Sequence, residues 1–530
     1  MPNTFIRHLF EGGWSTDLGP SYDVQPNVSD TGVAIIGIPF LVRADNVIYE
    51  LDGGPHKAPG ATKLNSTAVE SGAKIYGIFD YWIQGTAGTP TQKRIIHAGT
   101  KILKDDSDGT FDDLFTGLES GKVPSYAIMG DIIVITSDSN TDVPKSWDGS
   151  TAQNLAGSPP NFAFCVEHKN RMWAAGVAAN PSTLFYSVLE DVEDWAGSGS
   201  GNIKISLDDG DRITGLASHR GDLFIFKGPY KGSIHRITGS APTGSDAFAR
   251  RPFIDQGLGA VSHNSIFHYR SDLGFVWSDG SVHSLNATAS FGDFNEAALS
   301  RPIHRWLKDF LNFSALNTVS VSVSERLGIV LFAMPINSIV HPNTIISMDF
   351  RFNPVRWSHW SSFTKMISLG SVIDTAAENI PIIFSGGSDG FVRKLEQEDR
   401  SIDGSDAISY NITLPVMNYA MPHYMKTPAN GSIGFRQHND EDVTLGLTRD
   451  NETQQTVTVN QQGVTSLGSF VLGTDKLGGG QFIDSFYTLP NIGEFRAIQQ
   501  QVVNNVTNED VEIHSISLDL DLTAAISWEN

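Results

Sequence analysis

Short apolar runs rich in Val, Ile, Phe and Tyr recur along most of the chain, bounded by clusters of Gly, Asp, Asn and Ser. This is the strand-and-turn signature of an all-β protein. Seven runs stand out: Arg94–Gly99, Asp131–Thr136, Arg171–Gly176, Asp222–Lys227, Gly274–Trp277, Gly328–Ala333 and Ile380–Ser385. Their starts lie 37 to 54 residues apart, a spacing that suits propeller blades in an all-β chain. A blade is a small antiparallel sheet that cannot bury both of its faces alone. Radial packing covers those faces and leaves only short edges exposed. The pattern predicts a β-propeller of about seven blades over residues 71–400.

Two local features modify this picture. Asp-Gly pairs at Asp108-Gly109, Asp148-Gly149, Asp279-Gly280 and Asp389-Gly390 sit beside the runs, and Asp-Gly supplies the positive φ that tight hairpins require. Between 295 and 313 the period changes. Ser300 can cap a helix, Pro302 suits its first turn, and Ile303, Trp306, Leu307, Phe310 and Leu311 recur at helical spacing. This predicts a helix wedged between blades by its apolar stripe, or else one that docks a neighbouring subunit.

The flanks differ. Glu396–Ser405 reads as a charged linker. Beyond it, residues 401–530 form an expected C-terminal antiparallel β domain, sandwich-like, with alternating runs Ile408–Leu414, Gln455–Val459 and Val511–Leu520 facing solvent on one side. Residues 1–70 are an N-terminal arm or platform segment, or contribute a strand that closes the ring; the pattern leaves both open.

Composition narrows the function classes. With 51 Gly and 24 Pro, helices cannot dominate. No apolar window approaches the ~18 residues of a membrane span. The opening residues carry no apolar leader segment, so no secretory signal is expected. Cys165 stands alone, which removes internal disulfides and cysteine-rich zinc sites. The net charge of −22 argues against binding nucleic acid by neutralising its phosphates.

Candidate chemistry is sparse. There is no HExxH, phosphate-binding lysine loop, dinucleotide fingerprint or nucleophile elbow. Gly478-Gly479-Gly480 reads as a sheet corner. His97, His235 and His283 lie in or beside strand runs and read as structural side chains. A propeller glycosidase needs paired carboxylates, and a sialidase needs an arginine clamp. Arg250-Arg251 is the nearest arginine cluster, and the adjacent Asp and Gly of the turns do not fit the spaced Asp box of sialidases. Arg356-Trp357-Ser358-His359-Trp360 fits either sugar stacking and partner anchoring or packing in the core. No catalytic, cofactor-binding or metal-ligating residue is assigned, no cofactor is expected, and enzymatic activity is not expected.

The opening Glu11-Gly12-Gly13-Trp14-Ser15-Thr16-Asp17, with Gly493–Gln501 and Val511–Ile516 near the other end, resembles propeller-type virion proteins of tailed bacteriophages. The group in question is the tail hub, nozzle or packaged-DNA-stabilisation proteins of short-tailed phages. The resemblance implies a structural protein made in the host bacterial cytoplasm and carried in the virion tail. It implies a homo-oligomeric ring, a hexamer, below portal and adaptor, beside tail fibre or spike proteins. Such a ring continues the DNA channel, passing double-stranded DNA without sequence-specific contact. An acidic lumen would keep DNA off the wall. The alternatives are a β-propeller binding module for a receptor or glycan, and a glycan hydrolase.

Overall fold

The computed structural model describes residues 4–10, 12–16, 27–28, 34–38, 40–84, 90–105, 108–291, 298–375, 379–419, 422–436, 442–460, 482–487 and 492–525. The chain is all-β and forms two compact units. One comprises Lys63–Ile345 with Thr364–Leu395; the other comprises Met1–Thr62, Ile346–Phe363 and Glu396–Asn530. The expected N-terminal and C-terminal segments therefore fall within one unit.

The first unit is a β-propeller. Four four-stranded antiparallel sheets follow one another: Ile75–Ile83 to Phe111–Phe115, Pro124–Met129 to Ala152–Asn154, Phe164–His168 to Gly201–Lys204, and Arg212–His219 to Ala249–Ile254. A three-stranded sheet from Ile266–Tyr269 to Val282–Ser284 comes next. The last blade pairs Met366–Asp374, Ile380–Gly387 and Val392–Gln397. These six blades are one fewer than the seven expected. The run at 328–333 forms its strand, Ile329–Met334, in a hairpin with Ser320–Ser324.

Each of the seven apolar runs becomes the second strand of its sheet. The physical reason lies in burial. A second strand has a neighbouring strand on each side and packed sheets above and below, so both faces are apolar and strict alternation disappears. Arg171–Ala175 and Ile329–Met334 are buried along their whole length. The four Asp-Gly glycines all adopt positive φ, from 77° to 91°. Asp148 accepts from the backbone N–H groups of Ser150 and Thr151, and Asp279 from that of Ser281, so each side chain holds its own turn. First and second strands are joined by equally tight turns, with Lys169-Asn170 and Arg220-Gly221 both in the left-handed region.

The ring closes where the last blade meets the first. Asp80 accepts from the Ile373 N–H at 2.9 Å, Gln92 donates to the Ile373 carbonyl at 2.7 Å, and the Ser368 hydroxyl donates to the Ile75 carbonyl at 2.7 Å. Beneath these bonds Ile75, Ile78, Ile96, Val372, Phe384 and Val392 share one apolar cluster.

The predicted helix is shorter than expected. A 3-10 turn at Arg301–Ile303 leads into an α-helix at His304–Phe310, with Pro302 in the opening turn. Ser300 does not cap it; its hydroxyl accepts from the Val282 N–H. Ile303, Leu307 and Leu311 are buried, whereas Phe310 is exposed. Residues 295–297 of the predicted segment lie outside the described residues, as do Glu11, Asp17 and Gly478–Gly480.

In the second unit one sheet runs in the order Asn27–Val28, Ala34–Ile38, Thr4–Phe10, Ile513–Ala525, Tyr424–Arg436 and Phe482–Tyr487. The N-terminal strand thus pairs with the C-terminal one, Ile6 opposite Leu518. Within another sheet Tyr410–Thr413 lies between Arg43–Asp45 and Ile498–Asn504. Ile498–Asn504 alternates buried and half-buried. Tyr410–Thr413 is buried on both faces, contrary to the half-exposed expectation, because it is a central strand. The charged stretch 396–405 is no free linker: Arg400 donates to the Lys57 carbonyl and pairs with Asp510.

The closure cluster sets a stability prediction. Phe384→Ala should destabilise the propeller unit by about 3–5 kcal/mol, whereas Leu189→Ala, at a 48 % exposed position, should change it by less than about 0.5 kcal/mol. Urea unfolding followed by tryptophan fluorescence measures both.

Candidate functional site

The inner edge of each blade is its first strand, and these strands converge on a common axis. Glycine permits the closest approaches. A Cβ on Gly77 would lie 2.2 Å from Pro124 Cγ, and one on Gly215 would lie 2.3 Å from Ile266 Cδ1. Both glycines follow a register shift in their strand, which turns the backbone inward.

Two cavities of about 410 and 330 Å³ lie along this axis. Both are lined by Pro124, Ser125, His263 and Asn264. The smaller draws its wall from the inner strands, with Tyr76, Phe79, Tyr126, Ser218 and Ser320 among its lining. Among the described residues no Asp, Glu, Lys or Arg lines it. Among the described residues Asp138 and Arg212 are the acidic and basic side chains lining the larger one, apart from His263.

The shared wall is preorganised. The His263 ring stacks on Phe164 with centroids 5.1 Å apart, and its Nδ1 accepts from the Leu216 N–H at 3.4 Å. Burial lowers its pKa to about 4, so the imidazole is neutral at ordinary pH. Asn264 donates through Nδ2 to the Pro124 carbonyl at 3.0 Å. Tyr126 stacks on Phe79 at 5.1 Å, and burial raises its phenol pKa. The Ser125 hydroxyl and the Tyr126 phenol oxygen are buried without a hydrogen-bond partner. An unsatisfied buried hydroxyl costs about 1–3 kcal/mol, and Ser125 and Tyr126 place two of them beside the smaller cavity.

The residues singled out in the sequence sit elsewhere. His97 is buried in its strand, and burial lowers its pKa to about 4. His235 and His283 face Ser233 and Ser281 across 3.2 and 2.7 Å. Asp279, Ser281 and His283 resemble a triad in composition only. The serine hydroxyl donates to the aspartate instead of the histidine receiving that support, and Ser281 and His283 are both buried. Arg250 and Arg251 are exposed on an outer strand, away from either cavity lining. Trp357 and Trp360 are buried in the second unit, and the Trp360 indole donates to the Val47 carbonyl, so neither offers a sugar platform. Cys165 is buried with a raised pKa. Ser125, Tyr126, His263 and Asn264 escaped the sequence reading because two different blades supply them and no spacing links them.

A second cluster lies in the other unit. His56 Nδ1 is 2.7 Å from Glu50 Oε1, and Nε2 is 2.6 Å from Asp510 Oδ1. Ligating atoms of Glu50, His56 and Glu512 all fall within 4.8 Å of one another, as a metal site would require. However, both imidazole nitrogens are already engaged, and the Arg400 guanidinium lies 2.9 Å from Nε2. A fixed cation there opposes a second one, and the cluster reads as a structural ion network. Burial disfavours protonation of His56, but the Asp510 and Glu50 carboxylates outweigh it and raise the pKa. The hydrogen bond from His56 in turn lowers that of Glu50. Lys57 beneath is fully buried, its pKa lowered to about 8 by desolvation, and it donates to Asn504 and to the Val506 carbonyl.

No protein-family model matches the sequence, and no curated protein matches it. Among solved structures, YCF48 bound to D1 peptide is similar at 12 % identity, covering 66 % of this chain and 97 % of that one with a TM-score of 0.36. The gluconolactonase XC5397 from Xanthomonas campestris is similar at 12 % identity, 72 % and 98 % coverage and a TM-score of 0.32. An exo-β-1,3-galactanase from Phanerochaete chrysosporium is similar at 8 % identity, 87 % and 100 % coverage and a TM-score of 0.28. At these scores the neighbours carry no functional inference.

The histidines predict opposite pH responses in the two units. His97 and His263, with pKa values lowered from 6.5 to about 4, bind protons in the unfolded chain before they do in the fold. Their contribution is therefore present above pH 6.5 and is lost as pH falls toward 4. His56, with its pKa raised above 6.5, contributes fully below that value and loses its contribution as pH rises through the folded pKa. Imidazole NMR titration should show His97 and His263 neutral at pH 5 and His56 still charged above pH 6.5. A titration of all three near 6.5 would contradict the burial assigned to them.

Proposed function

We propose that this chain is a β-propeller recognition module whose axial cavity takes a neutral, hydroxyl-bearing ligand of the glycan class. The observation that carries this reading is the pair of unpartnered buried hydroxyls, Ser125 and Tyr126, on a wall whose other polar groups are hydroxyls, one amide and imidazoles. A cavity of some hundreds of Å³ with a few placed polar groups is the usual form of a small-ligand site. Binding is favoured over hydrolysis by the carboxylate inventory. Glycoside hydrolysis generally uses two carboxyl groups about the bond, and among the described residues the combined lining holds a single one, Asp138.

The finer architecture belongs to the same proposal. The hairpin of Ser320–Ser324 and Ile329–Met334 serves as a seventh blade. In support, the Leu369 N–H donates to the Ser320 hydroxyl at 3.0 Å, and Phe332 meets Phe267 edge-on at 5.3 Å, so the hairpin touches the blades on both sides. In the other unit the sheet holding Thr4–Phe10, Ile513–Ala525 and Tyr424–Arg436 and the strands Arg43–Asp45, Tyr410–Thr413 and Ile498–Asn504 serve as the layers of a sandwich-like domain.

A second reading, a structural ring protein of a phage tail that continues the DNA channel below portal and adaptor, rests on the sequence resemblance and on the net charge of −22. It requires an open homo-oligomeric ring, which electron microscopy of the purified protein would reveal.

The ligand reading is tested by isothermal titration calorimetry against a panel of neutral oligosaccharides. Binding is expected, and Tyr126→Phe should weaken it at least about tenfold, the effect of losing ~1.4 kcal/mol, with the melting temperature held or raised. Absence of binding across the panel, or equal affinity of Tyr126→Phe, would contradict it.

A further inference from the structure

Tyr230 stands apart from the other aromatic side chains of the propeller unit. It is 80 % exposed, and neither its ring nor its hydroxyl has a partner among the described residues. One exposed aromatic residue needs no explanation by itself. Two further observations give this one a role: its loop is held rigid, and the loop adjoins the larger axial cavity.

The backbone that carries Tyr230 is fixed from two sides. The buried Asp211 carboxylate accepts from three successive N–H groups, those of Tyr230, Lys231 and Gly232, each at 2.8 Å. Bonds to an ionised acceptor are the strong kind. The Lys231 carbonyl accepts from the Gly257 N–H at 2.9 Å. Gly232 has a φ of +66°, and a Cβ there would lie 2.5 Å from the Trp277 ring, so glycine lets the loop close onto that buried indole. The ring is held in place before any ligand arrives, and a tyrosine has few rotatable bonds left to order.

Both anchors of the loop belong to segments that wall the larger cavity. Arg212, the residue after Asp211, lines it together with Ile213 and Thr214. Arg212 also lies opposite Gly228 in the ladder that leads into the loop. Opposite residues are about 4.5–5.5 Å apart and two residues span at most ~7 Å, so the Tyr230 Cα lies within roughly 13 Å of that of Arg212. On the other side, Gly257 begins the stretch that reaches Val261 and Ser262 in the same lining. Thr214 ties the two segments together, its hydroxyl donating to the Ala260 carbonyl at 2.6 Å. Tyr230 therefore stands beside the larger cavity, which shares Pro124, Ser125, His263 and Asn264 with the smaller one.

We propose that Tyr230 is the stacking platform for the second sugar of a neutral oligosaccharide whose first sugar occupies the axial cavity. The proposal rests on the ligand reading above and adds to it a preference for chain length. A pyranose presents an apolar C–H face and a rim of hydroxyls. Tyrosine matches both, with a flat apolar ring and a polar tip that stays in water. The apolar surface here is a single ring beside the exposed Lys231. That is far smaller than a protein interface requires and of the size of one sugar.

Isothermal titration calorimetry of the full chain tests it with glucose, galactose, mannose and N-acetylglucosamine, each offered as the single sugar and as its β-1,4-linked di- and tetrasaccharide. At least one series should gain about tenfold or more in affinity from one sugar to two, the equivalent of ~1.4 kcal/mol. In Tyr230→Ala that gain should vanish, and Tyr230→Trp should keep it. The melting temperature of both variants should match the parent's, because the side chain contacts nothing that the fold needs. A parent that binds single sugars and their oligomers equally, or a Tyr230→Ala variant that keeps the gain, would overturn the platform and leave the cavity reading standing. Absence of binding in every series, or affinity that Tyr126→Phe does not change, would overturn the cavity reading and the platform with it.

Discussion

Closure of the propeller is the constraint on which the rest of the structure depends. A three- or four-stranded blade exposes two apolar faces, and only neighbours on both sides can cover them. For the first and last blades that neighbour lies almost three hundred residues away, with Ser368 bonded to the Ile75 carbonyl across 293 positions. The first strands are brought to the axis by the same packing, so the axial cavities are a consequence of closure. Their shape is set by which inner residues are small, as Gly77 and Gly215 are, and which are large.

Buried ionisable groups of the second unit are tied into hydrogen-bond networks: His56 to Glu50 and Asp510, and Lys57 to the Asn504 amide oxygen and the Val506 carbonyl. Removing one partner from such a network leaves an uncompensated buried charge, so its value lies in holding the N-terminal and C-terminal strands of one unit in register. On the axial cavity wall Ser125 and Tyr126 are buried without a hydrogen-bond partner, the groups that the proposed ligand would engage.

Much of the propeller was legible in the sequence, and the reason is specific. Second strands such as Ile132–Ser137 and Asp222–Gly228 are covered on both faces, so they read as unbroken apolar runs whose spacing reveals the repeat. Inner strands carry a weaker signal. Ser320–Ser324 alternates buried and half-buried with serine at every other position, and reads as polar. That is why the cavity-lining residues, which come from inner strands and the turns beside them, carried no signature. The stripe from Ile303 to Leu311 was visible, but its period cannot say which positions meet a neighbour, and Phe310 proved exposed. The pairing of residues 4–10 with residues 513–525 was invisible for a different reason: strand partners so far apart leave no local trace.

The central claim is that the axial cavity, bounded by Ser125, Tyr126, His263 and Asn264, is the recognition site. A crystal structure of the chain grown with a saturating neutral oligosaccharide tests this most directly. The account predicts sugar density on the axis, with a hydroxyl within hydrogen-bond distance of Ser125 Oγ or Tyr126 Oη. Sugar density confined to the outer faces of the blades, with the axis holding only protein and water, would contradict it.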